Sequence, residues 1–546
     1  MTIMTAMASM MTMMTMMPPG GLILLVISPV ALVLRGHRLR IFAGAVLLAL
    51  AAYHWAVPAG GPVKLAFAGF ELIPWRPNDP AGLIGLMFCL FGACAFLHLG
   101  PRRQDRLYTF AALVHISAAL WVLFVGDLLS LFVMWETLTL AAVLLIFRET
   151  GDGELPLRYF MFHMIGAVCL FIGIGLHYAA AGSIELGGSL AAGRGFFLAA
   201  VCVKAAVIPF HFWLVQVYPR LSPETALLLS GYATKVGVFA ISLLLPELNL
   251  ELPGALLALV SVLYALKQQD MRLLLAYHMV SQVGFMIAGF GSPSSLARAG
   301  GLYYMAGYIF YKGLLFAVVG ALSSAFGTRD MTELEGAGRR RPLVMVVAFV
   351  ASASISGLPP FNGYVSKTLL KLGMVNSVAS AILIAAGVGT AFSFAKFLHY
   401  AFLRGGTAAL GTEQRKTRPQ HLPPLPAVQA AAMLVLAAVC LGMGIWPRLL
   451  TGRFLGVTGG VYGLKSLWDG TWPIAAAVAL LVALRGPIVH LVGRLTPERL
   501  GIWPRAVRVA GGALAVVQRL HSGSLRRYLF WLLGGLVVIW LYLLAF

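Results

Sequence analysis

The chain has 546 residues, of which 60% are hydrophobic and only 11% charged, and its formal net charge is +21. A soluble globular domain carries about 25% charged residues, so the composition excludes one and indicates an all-α integral membrane protein. The positive residues stand mostly in short loops between apolar runs, where they orient membrane helices. They do not form a face for nucleic acid.

The chain opens on MTIMTAMASMMTMMTMMPPG, a low-complexity run without the basic region of a cleaved signal. Residues 1–20 read as a tail, or as an overextended start with Met17 the initiator, and receive no function. A span needs about 20 apolar residues, and on that criterion about sixteen follow, giving 14–16 transmembrane helices. They begin near Leu22, Ile41, Gly82, Leu107, Leu128, Tyr159, Phe196, Thr225, Pro253, Leu273, Gly300, Leu343, Val375, Ala427, Trp472 and Tyr528. The loops after odd spans hold most of the arginines, among them Arg38, Arg102, Arg103, Arg148, Arg220, Arg329, Arg340 and Arg404. Those loops are expected in the cytoplasm of a multi-pass inner-membrane protein, with the N-terminus on the other side.

Four regions are expected. Residues 1–106 form N-terminal transmembrane helices, 107–250 a first five-helix repeat, and 251–404 a second. Residues 405–546 form C-terminal helices with a basic amphipathic segment at 490–527, read as a surface helix. The fourth span of the first block is broken at Pro209, and that of the second in SISGLPPFNGYVSK at Pro359 and Pro360. Five helices is an odd number, so the second repeat enters the membrane inverted. Corresponding broken helices in inverted repeats point to a transport site.

The chemistry lies in the charges within these spans. Lys204 and Lys235 occupy two adjacent apolar runs, and Glu136 lies mid-span in LLSLFVMWETLTLAAVLLIF. Lys312, Lys367 beyond the GLPP break, and Lys396 follow in the second block. Lys204 and Lys367 hold matching places beside the breaks, and Lys235 and Lys396 correspond likewise. A charge at the bilayer centre costs about 2.5–3.5 kcal/mol on insertion scales, so it faces a protein interior or a water-filled path. Burial disfavours an ammonium and a nearby carboxylate favours it, so a Glu–Lys pair can switch protonation as the partner moves. The competing reading makes each lysine a satisfied ion pair or lets it snorkel to a surface. His278, in LLAYHMVSQVGF, is a candidate relay. His115 and His163 also lie in spans, where a histidine is more often a packing residue. The five cysteines lie in apolar runs without a CxxC, and no glycine-rich nucleotide loop is present. No metal site, cofactor or catalytic site is therefore expected.

The words MWETLTL, VKAAVIPFHFWLVQVYP, SGYATKVGVFA, ALKQQDMRLLLAYHMVSQVGF, FYKGLLF and GLPPFNGYVSK occur in this order over about residues 107–400. In them the chain resembles the antiporter-like membrane subunits shared by respiratory complex I (NADH-quinone oxidoreductase), Mrp-type sodium/proton antiporters and membrane-bound hydrogenases. The resemblance implies a subunit of a multi-subunit membrane complex that moves protons, or exchanges them for sodium, along a buried Lys/Glu axis. Redox energy, where used, would come from a partner arm. By the same resemblance Glu136 and Lys204 form the glutamate–lysine pair, Lys235 and Lys312 the central relay, and Lys367 the lysine of the second broken helix. One complex I subunit type carries glutamate at that last position. The chain departs from the pattern at Tyr308, where the family has an inward-facing histidine before FYK. His278 stands where serine is more common, and VQVY replaces the usual PDAH. Two alternatives stay open: a non-pumping scaffold of a redox complex, and the membrane subunit of an inorganic-carbon uptake system.

Overall fold

The computed structural model describes residues 20–56, 61–67, 69–99, 105–188, 190, 192–334, 336–403 and 422–483. The first nineteen residues, Arg102, Arg103, the basic loop 404–421, the 490–527 segment and the span predicted near Tyr528 lie outside them. Every predicted span up to the one near Trp472 meets a helix. Among the described residues ten helices are long and apolar enough to cross a membrane, and shorter apolar helices and two broken ones fill the remaining places.

Helix α1 (Gly20–Ile27), with the 3-10 turn Ser28–Leu32, and α2 (His37–Ala56) precede an unpredicted antiparallel hairpin. Its strands are β1 (Val63–Phe67) and β2 (Phe70–Trp75), and α3 (Asp79–His98) follows. The first five-span block contains α4 (Arg106–Val122), α5 (Leu128–Thr150) and α6 (Glu154–Ala181). Its fourth span is the pair α7 (Arg194–Lys204) and α8 (Phe212–Val217), and its fifth is α9 (Pro223–Ser230) and α10 (Ala233–Leu244). The second block repeats the order with α11 (Glu251–Lys267), α12 (Met271–Phe290) and α13 (Ser295–Phe326). Its broken span is α14 (Pro342–Ser356) and α15 (Asn362–Gly373), and α16 (Ser377–Leu398) closes it with a π turn at His399–Leu403. Beyond lie α17 (Ala427–Ile445), α18 (Pro447–Leu455) and α19 (Leu464–Ala483).

Local chemistry sets these limits. Asp127 accepts from Ser130 N at 2.7 Å at the start of α5, and Asp270 accepts from Arg272 N at 2.7 Å at the start of α12. Each carboxylate satisfies an orphan N–H at a helix start and favours the positive end of its dipole. Proline lacks the N–H that would continue a helix. The first break therefore surrounds Pro209, and the second surrounds Pro359 and Pro360. Gly357, at φ +88°, ends α14 in the left-handed conformation that glycine adopts without strain. Both breaks contain a cis peptide bond, Ile208–Pro209 and Pro359–Pro360.

Buried Asp127 does a second job by accepting from Ile73 N at 2.7 Å, which ties the hairpin to α5. Trp121 Nε1 donates to Pro74 O at 2.8 Å, and Arg76 pairs with Glu185 beyond α6. Alternating residues in VKLAF and FELIPW around Gly69 carried a hairpin signal that the search for spans passed over. Helix α13 lies at the centre, packed on α3, α9, α12, α14, α15 and α17. By contrast α5 and α6 expose Leu140, Phe147, Ile165 and Phe171, an apolar rim suited to lipid or a neighbouring subunit.

Two contacts hold the second block together. Where α11 crosses α12, a Cβ on Gly254 would stand 2.4 Å from Ala288 N, and one on Gly284 would stand 2.4 Å from Ala258 N. The two small-xxx-small pairs, Gly254/Ala258 and Gly284/Ala288, thus bring the backbones into contact, the close approach that drives helix association in lipid. At the start of α11 the buried carboxylate of Glu251 accepts from Ser292 Oγ at 2.6 Å, Asn376 N at 2.8 Å and Val375 N at 3.2 Å. It thereby joins the turns that lead into α13 and α16.

Gly284→Leu is expected to destabilise the protein by about 1–3 kcal/mol or more, because the backbone of α11 must move away; thermal unfolding of the detergent-solubilised protein measures it. Glu251→Ala removes the acceptor of three donors, of which the buried Ser292 hydroxyl alone costs about 1–3 kcal/mol when left unpaired. It should lower the same midpoint further than Glu251→Gln, which keeps an acceptor oxygen.

Candidate functional site

The intramembrane lysines gather on the inner faces of both blocks. Lys204 is the last residue of α7 and only 2% exposed. Its ammonium donates to Thr139 Oγ1 at 2.7 Å and Trp135 O at 3.3 Å on α5, and lies 4.8 Å from the Trp135 ring centre. Glu136 is next to Trp135 in sequence. Its carboxylate interacts electrostatically with Lys204, yet the two form no ion pair within 4.0 Å, and Glu136 Oε1 is buried without a hydrogen-bond partner. The glutamate and lysine expected as a pair therefore face each other across α5 and α7 without touching.

Lys235, in the first turn of α10, is fully buried and donates to Ser230 O at 2.6 Å and Thr234 Oγ1 at 2.9 Å. Ser230 ends α9, so the cation sits at the negative end of a helix dipole. Gly237 lets α10 lie against the first lysine: a Cβ there would come 3.1 Å from Lys204 Cβ. His115 and His163 lie beside Lys204 and interact with it electrostatically. Their Nδ1 atoms bond Leu138 O at 3.0 Å and Tyr159 O at 2.9 Å, and their Nε2 atoms are buried without partners.

Between Lys235 and Lys312 stands Tyr308. Lys235 Nζ lies 4.0 Å from the centre of the Tyr308 ring, and Tyr308 precedes Lys312 by one turn of α13. The tyrosine in place of the family's histidine thus meets the lysine with its π face, and its hydroxyl is buried without a partner. Lys312 donates to Leu275 O at 2.6 Å on α12 and is fully buried. His278, one turn beyond Leu275, bonds Ser393 Oγ at 2.8 Å through Nε2 and leaves Nδ1 unpartnered. It interacts electrostatically with Lys312, Lys396 and Lys367. The histidine read as a candidate relay is therefore central to the second block.

Lys367 and Lys396 each close a helix end. Lys367 donates to Ile355 O at 2.9 Å and Ser356 O at 3.0 Å, the last carbonyls of α14. Lys396 donates to Leu266 O at 2.7 Å and Gln268 O at 2.8 Å at the end of α11. The expected correspondence between repeats needs correction here. Lys204 precedes its break and Lys367 follows its own, so the two flank the breaks from opposite sides. Lys235 opens its span, whereas Lys396 lies near the end of the matching one. Among the described residues none of these five lysines is in an ion pair; carbonyl and hydroxyl oxygens hold them all.

Sequence reasoning did not single out Thr139, Trp135, Ser393 or the helix-end carbonyls. Thr139 lies one turn beyond Trp135 on α5, a helical spacing visible in MWETLTL. The carbonyls belong to whichever residues end a helix and have no side-chain signature.

Residues 125–393 match the model of the family described as "NADH:quinone oxidoreductase/Mrp antiporter, TM". The chain is 29% identical over 396 residues to a Na(+)/H(+) antiporter subunit of Alkalihalophilus pseudofirmus, covering 66% of this chain and 78% of that one. It is 28% identical over 444 residues to an NADH-quinone oxidoreductase subunit of Desulforudis audaxviator, covering 72% and 88%. Among solved structures, a chain of the Mrp complex from Dietzia sp. superposes with a TM-score of 0.75 at 22% identity. That likeness concerns the fold; it covers 98% of this chain, which spans 63% of the longer Dietzia chain. Glu136, Lys204, Lys235, Lys312, Lys367 and both broken helices fall within the matched residues, and there the chain is similar to the antiporter-like membrane subunits of the NADH:quinone oxidoreductase/Mrp antiporter family.

Proposed function

We propose that the chain carries protons across the inner membrane along Glu136, Lys204, Lys235, Lys312 and Lys367, with His278 and Lys396 as a branch. The observation that carries this reading is a set of lysines, Lys204, Lys235, Lys312 and Lys396 buried and Lys367 half-buried, held by neutral oxygens alone. A permanent structural cation would be expected to keep a carboxylate against it, because a buried charge without a partner is expensive. An amine held by carbonyl and hydroxyl oxygens can instead lose and regain a proton without breaking an ion pair.

The arrangement supports a sequence of transfers. A proton enters the first block at the Pro209 break and loads Lys204. Movement of Glu136 toward or away from Lys204 then changes how strongly that ammonium is held. At an effective dielectric constant of about 20, a pair closing to 4 Å is worth roughly 4 kcal/mol, enough to drive a transfer. Charge on one lysine disfavours charge on the next. Lys235 interacts electrostatically with Lys312, and His278 with three lysines of the second block. Such mutual bias is what coupling between sites requires. The loop charges favour the Met374 turn on the non-cytoplasmic side, so the route through Lys367 leads outward and Lys396 faces the cytoplasmic end. Exchange against sodium is the finer form of this reading, in line with the antiporter activity named for the Alkalihalophilus relative. Other membrane subunits of a larger complex are the proposed partners.

Lys204→Ala and Glu136→Ala should each reduce proton translocation to background in inverted membrane vesicles of the native host, with the protein inserted at normal levels. Unchanged flux at normal levels rejects the axis and favours a scaffold. His278→Ala should slow flux while leaving a remnant through Lys367. Sodium-dependent proton release that disappears with Lys204→Ala would establish exchange.

A further inference from the structure

The second broken helix borders a cavity of about 90 Å³ that runs from Ser356 and Gly357 toward the Met374 turn. Lys367 lines it, one helical turn before Lys371 on the same face of α15. The facing wall is α19, which brings Asp469 into the same cavity. Lys371 Nζ and Asp469 Oδ2 form an ion pair at 2.9 Å, with both side chains about one-third exposed. The packing that holds Asp469 there is tight, since a Cβ on Gly470 would stand 2.6 Å from the Tyr364 ring of α15. The opposite side of α19 exposes Leu464 and Trp468. Its only carboxylate thus faces inward, toward a lysine assigned to the transfer route.

We propose that Asp469 is a further proton-transfer residue of this chain, the carboxylate at the mouth of the Lys367 cavity, with Lys371 as its positioning residue. The inference rests on the proton-carrying reading above. The step moves one proton and no electrons. The Lys367 ammonium releases a proton to water, for which the cavity has room. The proton then passes to Asp469 Oδ2, leaving Lys367 a neutral amine and Asp469 a neutral carboxylic acid. Protonation removes the negative charge that holds Lys371, so the bridge between α15 and α19 loosens. Asp469 returns the proton to bulk solvent, and renewed pairing with Lys371 restores the carboxylate. The second broken helix thereby gains a carboxylate on a neighbouring span, as the first has Glu136.

The test measures proton translocation in inverted membrane vesicles carrying the native assembly, with Lys204→Ala as reference. Asp469→Asn should lose most of the flux at normal protein level, and Asp469→Glu should keep most of it. The double variant Lys371→Met/Asp469→Asn should stay as low as Asp469→Asn. A hydrophobic carbodiimide, to which a protonated carboxyl group adds, should modify Asp469 during turnover as an acylurea or an amide to Lys371, read by mass spectrometry. Wild-type flux in Asp469→Asn, while Lys204→Ala is silent, overturns this inference and leaves the axis standing. Full flux in the double variant reduces the pair to a strut and also overturns it. Where Asp469→Asn does not accumulate, labelling of the unaltered chain decides. An unmodified Asp469 peptide recovered after turnover then rejects the assignment. Flux retained in Lys204→Ala rejects the underlying reading instead.

Discussion

A cation inside a bilayer needs acceptors, and in this protein the ends of helices supply many of them. Three of the five lysines rest on the final carbonyls of a helix: Lys235 on α9, Lys367 on α14 and Lys396 on α11. Those carbonyls have no intrahelical donor and form the negative end of a dipole, so they hold an ammonium without an opposing charge. The second break is thus more than a gap in the wall, because the end of α14 that it creates holds Lys367. Interrupting a span at mid-membrane creates a helix end at the depth where a lysine lies.

The remaining two lysines show the same economy by another route. Lys204 and Lys312 take oxygens from intact neighbouring helices, Trp135 O with Thr139 Oγ1 and Leu275 O respectively. Close backbone approach makes this feasible, as at Gly237 against Lys204. Packing and chemistry therefore depend on the same residues, because a bulkier residue at 237 would push α10 away from the lysine it accompanies.

Much of the architecture was legible from apolar runs alone. Hydrocarbon permits few ways for a backbone to satisfy its polar groups, so a long apolar run with a charged loop at each end reads as a helix. The two proline breaks were legible for the same reason, since Pro209 and Pro359–Pro360 interrupt otherwise continuous runs. The β-hairpin was less evident: short strands outside the membrane carry weak signals, and its place is set by Asp127, Trp121 and Arg76. Asp469 was missed altogether, because a carboxylate near the end of an apolar run reads as a boundary until the opposing Lys371 is seen.

The sequence by itself determined that lysines and a glutamate lie at membrane depth, and on which spans, because one-dimensional hydropathy registers a charge in an apolar run. Only the tertiary structure decided what those charges touch. It separated Glu136 from Lys204, put Tyr308 between Lys235 and Lys312, and set His278 among three lysines. These outcomes depend on helix rotation and crossing, which arise from contacts between residues far apart in the chain. A side chain's partner is fixed by the packing of two helices, and neither helix encodes that packing alone.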